Sequence, residues 1–471
     1  MDKIELHPDR LLPVEPTVRG LARRLYEEVR DQPIISPHGH VDPAVLADNA
    51  AFTDPASLFV TPDHYVTRML HAHGVDLSDL GLSRDAATRQ PSARSVWRRL
   101  CEHWWAFRGT PSRYWLEGEL ADVFGVTTRP APHTADALFD ELLEKLAAPR
   151  FRPRALFERF GVEVLATTDD PCSDLDAHRR LARAGSSTGR VIPTFRPDAY
   201  LDPTTDAWPQ RVADLGRSAD VETGDYDSYI TALQARRAHF AEHGATATDH
   251  GPPDTWCDPL SHAEAQRIYA AALAGSATST ERIAFRRHML SEMARMSCED
   301  GLVMQLHPFV LRNHQSATFS AFGADTGHDI PRAAEFTRSL RPMLERYGTH
   351  PRFRLVLFTV DETTWSRELA PLAGFYPSVF AGVPWWFLDT PNANTRFREA
   401  VTDTVGFHKT SGFVDDTRAF CSIPVRHDMA RRIDCGYLAK LVATHQLNED
   451  EALETAQDLA YQLPREVFRL N

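Results

Sequence analysis

The chain has 471 residues, 42% of them hydrophobic, with a formal net charge of -13 and six cysteines. That much apolar sequence buries a large core, as two domains or as one elaborated barrel, while the acidic balance argues against a nucleic-acid partner. The cysteines are scattered with no CxxC pair, no apolar run approaches the roughly 18 residues of a membrane span, and the opening Met1-Asp2-Lys3-Ile4-Glu5 is no signal peptide, so a cytoplasmic protein without a disulfide framework is expected.

Short apolar runs, each ending in polar and chemically capable residues, alternate along the chain with stretches of helical composition. The first, Pro33 to Ser36, leads into His38-Gly39-His40. On a strand, residues i and i+2 face the same side, so both imidazoles are expected to project from a strand tip toward one point, as half of a metal site. Imidazole suits Zn, Cu, Fe and Ni, and zinc is the first choice when carboxylates complete the set. With 21 histidines in the chain such a pair also arises by chance, so the other elements must carry the reading. From Pro43 to about Arg154 the sequence holds Trp97, Trp104, Trp105 and Trp115 and reads as several helices, including Ser95 to Phe107. This stretch is too long for a strand-to-helix connection and predicts a helical insertion, residues 43–154, packed on a barrel mouth.

The remaining runs are Val162 to Thr167, Arg190 to Phe195, Ala245 to Thr248, Gly301 to Leu306, Phe353 to Val360, Ser378 to Val383 and Thr410 to Val414. The polar residues at their ends include Asp169-Asp170, Arg196-Pro197-Asp198, Asp249-His250, His307, Asp361-Glu362, Trp385-Trp386 and Asp415 to Arg418. A second long connection, Leu201 to Glu242, ends in the helical stretch Asp227 to His243. The tail from Ala430 to Asn471 is helical, with Asn448 and Glu451 spaced as a capping box. Strands alternating with helices imply parallel strand-helix units. Eight such units imply an α/β protein built as a closed (β/α)8 TIM barrel, one elaborated domain over 1–471, with its active site at the C-terminal strand ends. The pattern alone leaves an open doubly wound sheet as the alternative.

Several of these motifs, in this order, resemble the uronate isomerase (glucuronate isomerase) family of the amidohydrolase superfamily, whose members are metal-dependent TIM barrels. The resemblance covers nearly the whole chain. It rests on Asp31-Gln32-Pro33-Ile34 before the histidine pair, Asp63-His64-Tyr65, Thr167 to Pro171, Arg196-Pro197-Asp198, Asp249-His250, His307 with Arg312-Asn313, Trp385-Trp386-Phe387, Asp416-Thr417-Arg418, and Arg426-His427 with Arg431-Arg432. The resemblance implies interconversion of a hexuronate aldose and its keto isomer in hexuronate catabolism, such as D-glucuronate with D-fructuronate or D-galacturonate with D-tagaturonate. It implies a divalent metal, most simply Zn2+, held by His38, His40 and Asp416. A small-molecule hexuronate is the expected partner, with no nucleic acid or membrane, in a homo-oligomer.

Aldose-ketose isomerisation through an enediol needs a base at C2, a donor for the carbonyl oxygen and a cation for the substrate carboxylate. By the resemblance Asp416 is the base and Tyr65 or a metal-bound water returns a proton to C1, with Arg418 and His38 in the catalytic set. His64, Tyr65, Arg196, His307, Trp385, Trp386 and Arg418 are the expected substrate-binding residues. Asp416 also suits a helix N-cap, and Asp415 competes for its role. His307 is read equally as a metal ligand or a substrate contact, and one tryptophan of the pair is expected to face the pocket. Asp169, Asp170, Asp249 and His250 are read as helix caps or orienting groups. Ser36-Pro37 and Gly39 depart from the family pattern, as does Gly251-Pro252-Pro253, and Pro37 must end or kink the first strand. Three other readings stay open. One is an amidohydrolase-type hydrolase, which wants a lysine and a histidine where this chain has Asp249-His250 and Asp361-Glu362. The others are a sugar-acid epimerase or dehydratase, and a non-catalytic sugar-acid binding protein.

Overall fold

The computed structural model describes residues 3–84, 90–185 and 189–470. Seven of the eight apolar runs are strands: β1 (Ile34–Ser36), β2 (Val162–Ala166), β3 (Arg190–Ile192), β4 (Ala247–His250), β5 (Val303–Leu306), β8 (Leu355–Leu357) and β9 (Val379–Ala381). A small antiparallel pair, β6 (Val310–Leu311) with β7 (Ile330–Pro331), lies in the excursion between β5 and β8. The barrel strands pair in parallel in the orders β1-β2-β3 and β4-β5-β8-β9.

Three contacts join these two sheets into a ring. Phe195, beyond β3, bridges Thr248 of β4 in parallel, and Ala381 of β9 bridges Thr410. The backbone N–H of His40 then donates to the Thr417 carbonyl at 2.9 Å. Residues 410–414 therefore take the eighth strand position, and the open-sheet alternative falls away. Strands β1, β4, β5 and β8 are buried on both faces, so their residues need not alternate between apolar and polar. Strand β1 stops at Ser36 because Pro37 has no N–H to extend the ladder.

The long stretch after β1 folds into helices that include Pro43–Asp48, His64–Ala72, Ala93–Glu102, Pro111–Gly118 and Ala135–Ala147. They enclose an apolar cluster of their own, with Trp97, Phe107, Leu142 and Phe124 at its centre, continuous with Ile34, Val162 and Leu165. The stretch thus packs beside β1 and β2, and its helix His64–Ala72 extends to the barrel mouth. The expected helix Ser95 to Phe107 is two pieces, Ala93–Glu102 and a 3-10 turn Trp104–Phe107.

At the other end of the barrel the C-terminal residues form a plug. Arg354, just before β8, donates to the Val467 carbonyl at 3.1 Å, and Phe468 and Leu470 are buried there. The capping box at Asn448 and Glu451 forms as expected, with reciprocal bonds of 2.8 and 3.0 Å. No helix of the described residues is long and apolar enough to cross a membrane.

Gly382 follows β9 where there is no room for a side chain: a Cβ there lies 2.5 Å from the Phe358 ring and 2.8 Å from the Leu357 carbonyl. Phe358 in turn stacks on His307 at 4.1 Å. Gly382→Ala should therefore lower stability by about 1–3 kcal/mol and reduce turnover as well. Urea unfolding checks the first effect, and a variant as stable as the parent would refute this account of the packing.

Candidate active site

His38 and His40 lie in the loop just past β1, not on the strand itself. Their convergence comes from barrel closure and not from strand alternation, which corrects the geometry expected above. The Nε2 atoms of His38 and His40 lie 3.3 and 3.1 Å from the same Oδ1 of Asp416. The two rings meet edge to face, with centroids 5.2 Å apart. Asp416 holds a left-handed backbone with φ +39°, a conformation costly for a residue with a Cβ and characteristic of functional sites. Its neighbour Asp415 turns away and bonds buried His427 at 3.1 Å, so Asp416 is the carboxylate at the cluster. The next helical turn, Phe420–Ser422, has no side-chain cap, which removes the N-cap reading of Asp416.

His307, past β5, is packed between His38 and Phe358, with ring centroids at 4.5 and 4.1 Å. Its Nδ1 bonds Asp249 Oδ1 at 2.7 Å, and Asp249 Oδ2 faces Arg196 Nη1 at 3.0 Å. That leaves Nε2 of His307 buried with no partner. Ligand atoms of His38, His307 and Asp416 all lie within 4.8 Å of one another. His40 joins the same group through the shared Asp416 oxygen. Three imidazole nitrogens and a carboxylate oxygen, crowded together without hydrogen-bond alignment, are a donor set that fits a divalent cation. The Asp249 contact fixes the His307 ring, the usual support for a metal-binding imidazole.

Burial alone would raise the Asp416 carboxyl, but the imidazoles of His38 and His40 outweigh it and hold the group well below the ordinary range. Burial opposes charge on His38, yet Asp249 and Asp416 overcome that and raise it.

A cavity of about 570 Å³ opens above the cluster. Its wall contains His40, His64, Tyr65, Arg196, Trp385, Trp386, Asp416 and Arg418, while His38 and His307 are buried behind it. Both tryptophans line the cavity, not one, and Trp385 also meets His307 edge-on at 4.7 Å. Asp63 caps the helix His64–Ala72 through the Tyr65 N–H at 2.8 Å, which aims the first turn at the cavity. His64 stacks on Tyr65 at 4.6 Å, and burial, then Arg418, pulls its pKa down to about 3. Tyr65 sits between Trp115, at 5.7 Å, and the Arg426 guanidinium, at 5.6 Å.

Of the aspartates and histidine read as caps or orienting groups, Asp249 alone contacts the cluster, through His307. Asp170 accepts from the Cys172 N–H and the Tyr200 hydroxyl at 2.8 and 2.6 Å. His250 is buried against Thr248 Oγ1 at 3.0 Å, and Gly251 N–H donates to Asp198 at 2.8 Å. Asp169 accepts from Thr167 Oγ1 at 2.7 Å and is pushed up to about 6 by burial.

Sequence reasoning assigned no role to Arg68, Asp198, Arg312, Asn313, Asp325 and Asp329, all of which line the cavity. Arg68 was findable, because it follows His64 by one helical turn. Asp325 and Asp329 were not, since nothing in a polar excursion signals that it folds back over a barrel mouth.

A closed α/β barrel with converging histidines and an aspartate at the C-terminal end of its strands, under a polar cavity, defines a barrel enzyme built to hold a divalent metal. The chain belongs to the glucuronate isomerase family, whose model matches residues 17–468. It is 52% identical to the uronate isomerase of Rhizorhabdus wittichii over 467 residues, 99% of each chain. The crystal structure of glucuronate isomerase from Caulobacter crescentus superposes with a TM-score of 0.97 at 45% identity, covering 100% of this chain and 98% of that one. Uronate isomerase from Thermotoga maritima gives 0.92 at 28% identity, covering 98% and 99%.

The support beneath the site makes stability depend on pH. His178 Nε2 contacts Thr167 Oγ1 at 2.8 Å, and burial holds its pKa near 4, below the ordinary 6.5. The unfolded chain therefore takes up this proton first, so the His178 contribution is complete above pH 6.5 and is lost as pH falls through 4. Thermal unfolding of metal-free protein should show the advantage of the parent over His178→Gln largest above pH 6.5 and shrinking toward pH 4. A gap that stays constant over that range refutes the assignment.

Proposed function

We propose that the protein is a uronate isomerase that interconverts hexuronate aldoses and ketoses, D-glucuronate with D-fructuronate and D-galacturonate with D-tagaturonate. Family membership over the whole chain supports this reading. The observation that carries it is the ionised Asp416 at the floor of a cavity whose wall presents a protonated Tyr65 and the guanidinium of Arg418. His38, His40 and Asp416 would hold the metal, with His307 the fourth donor, and this nitrogen-rich set with one carboxylate suits zinc. A bound divalent cation supplies Lewis acidity toward substrate oxygens.

The side chains account for the proton transfers. Asp416 takes the proton from C2, and the freed pair forms the C1–C2 double bond while the aldehyde oxygen accepts the Tyr65 hydroxyl proton. The C2 hydroxyl proton then passes to Tyr65 as the C2 carbonyl forms, and the Asp416 carboxyl, whose proton exchanges with solvent in the meantime, delivers a proton to C1. Burial pushes the Tyr65 phenol far above the ordinary range, so it stays a donor at any working pH. Arg418 and Arg196 supply cationic donors for the substrate carboxylate and for charge that develops on the enediol oxygens. Trp385 and Trp386 offer an apolar wall to the sugar face.

Proton NMR of the metal-loaded enzyme with each uronate in heavy water should show keto product carrying deuterium at the exchanging carbon. Turnover of neither sugar with metal present would reject the reading in favour of another sugar-acid reaction or a hydrolase. Asp416→Asn, which keeps an oxygen ligand, should retain metal but lose C2 exchange and lower kcat/KM by about 10²–10⁴. Normal C2 exchange in that variant would rule out Asp416 as the base. Chelation should abolish turnover and Zn2+ should restore it; restoration by another divalent ion and not by zinc would replace the metal assigned.

A further inference from the structure

Four arginines line the cavity, and three of them face carboxylates. Arg196 lies 3.0 Å from Asp249 and 3.4 Å from Asp198, Arg312 lies 2.8 Å from Asp329, and Arg418 lies 3.6 Å from Asp325. Arg68 has neither a carboxylate in ion-pair reach nor an acceptor for any guanidinium N–H among the described residues, and its Nε is buried. Burial lowers its pKa against the smaller opposing effects of Tyr65 and Asp63.

This guanidinium is nevertheless held in place. It lies 4.3 Å from the centre of the Phe387 ring and 6.0 Å from that of Tyr65. Gly327, with φ +96°, is pressed against the same residue so closely that a Cβ on it would lie 2.7 Å from the Arg68 Cβ. Three elements thus grip Arg68: its own helix, the loop after β9 and the excursion after β5. The Nε N–H, buried and without an acceptor, is costly unless a ligand oxygen accepts from it, and the Nη N–H groups of the same clamped fork are open to the cavity. Surface arginines that merely sit in water are not clamped in this way.

We propose that Arg68 is a further substrate-binding residue, whose guanidinium donates to oxygen atoms of the hexuronate at its Tyr65 end. The inference rests on the isomerase reading above for the identity of the ligand. Arg68 acts beside Tyr65, so it holds the reacting end of the sugar against the proton donor, and its loss weakens binding before it weakens chemistry.

Arg68→Ala and Arg68→Lys test it, with D-glucuronate and D-galacturonate as probes. Tryptophan fluorescence gives Kd, steady-state turnover gives KM and kcat, and thermal unfolding checks the fold. Arg68→Ala should raise Kd and KM about tenfold or more, the scale of one or two charge-assisted hydrogen bonds, at nearly unchanged unfolding temperature. Arg68→Lys should fall between, and millimolar guanidinium should recover part of the Arg68→Ala loss. Kd and KM within twofold of the parent, or a loss that neither lysine nor guanidinium moderates, overturn the proposal. A parent that binds a uronate without converting it sinks the isomerase reading alone, since Kd still judges Arg68. A parent that does neither overturns both.

Discussion

The backbone hydrogen bond from His40 N–H to the Thr417 carbonyl, at 2.9 Å, is the contact on which the rest of the site depends. It closes the barrel between its first and eighth segments, and in doing so sets two imidazoles against the carboxylate of Asp416. Neither group of residues makes a site alone, because they are separated by nearly the whole chain. Space at this seam is tight: a Cβ on Gly39 would lie 3.3 Å from the Thr417 carbonyl and 3.5 Å from Asp415 Oδ1. Glycine between the two histidines is thus a packing requirement of the closure. The left-handed backbone of Asp416 is the strained part of the same seam, and coordination by the proposed cation would offset both the strain and the crowding of lone pairs.

Around that seam, buried charges are paired outward in layers. His307, Asp249 and Arg196 form one chain, Asp415 and His427 a second, and Asp389 with Arg426 a third, at 2.5 Å and almost wholly buried. Burial pushes the Asp389 carboxyl up to about 7, even though Arg426 pulls it down. Removing one partner of such a pair strands the other in a low-dielectric interior, at about 3–5 kcal/mol. The Arg426 guanidinium also lies 3.5 Å from the centre of the Trp115 ring, and Trp115 meets the Tyr65 ring edge-on. The stiffness of the proton donor therefore comes from a charge pair that touches no substrate.

Legibility in the sequence followed the physics of each part. Buried parallel strands leave continuous apolar runs, so all eight strand positions could be read, even the eighth, whose residues are too irregular to form a regular ladder. The cluster residues were legible because they sit at strand ends, where a barrel concentrates its chemistry. His307 stayed ambiguous because its role depends on which ring nitrogen Asp249 occupies, a tertiary fact. The insertion was legible as helices packed on the barrel mouth, but not as an apolar core continuous with Ile34, Val162 and Leu165, because that continuity depends on tertiary contacts. The excursion carrying Asp325 was illegible, since its contacts are polar and distant in sequence.

The cavity consequently has two parts with different constraints. Its floor is barrel, and every floor residue is tied to the closure or to a buried charge pair, so little there can change without loss of the fold or the metal site. Its roof is made by two segments inserted in separate strand-to-helix connections. They hold each other: Arg84 N–H meets the Ala321 carbonyl at 3.4 Å, the Arg84 guanidinium covers Phe319 at 4.9 Å, and Gly327 rests on Arg68. Loops of this kind vary without disturbing the barrel beneath them. In the proposed reaction, proton transfer joins Asp416 of the floor to Tyr65 of the first inserted segment, and recognition of the sugar is likewise divided between Arg196 and Arg418 below and Arg68 above.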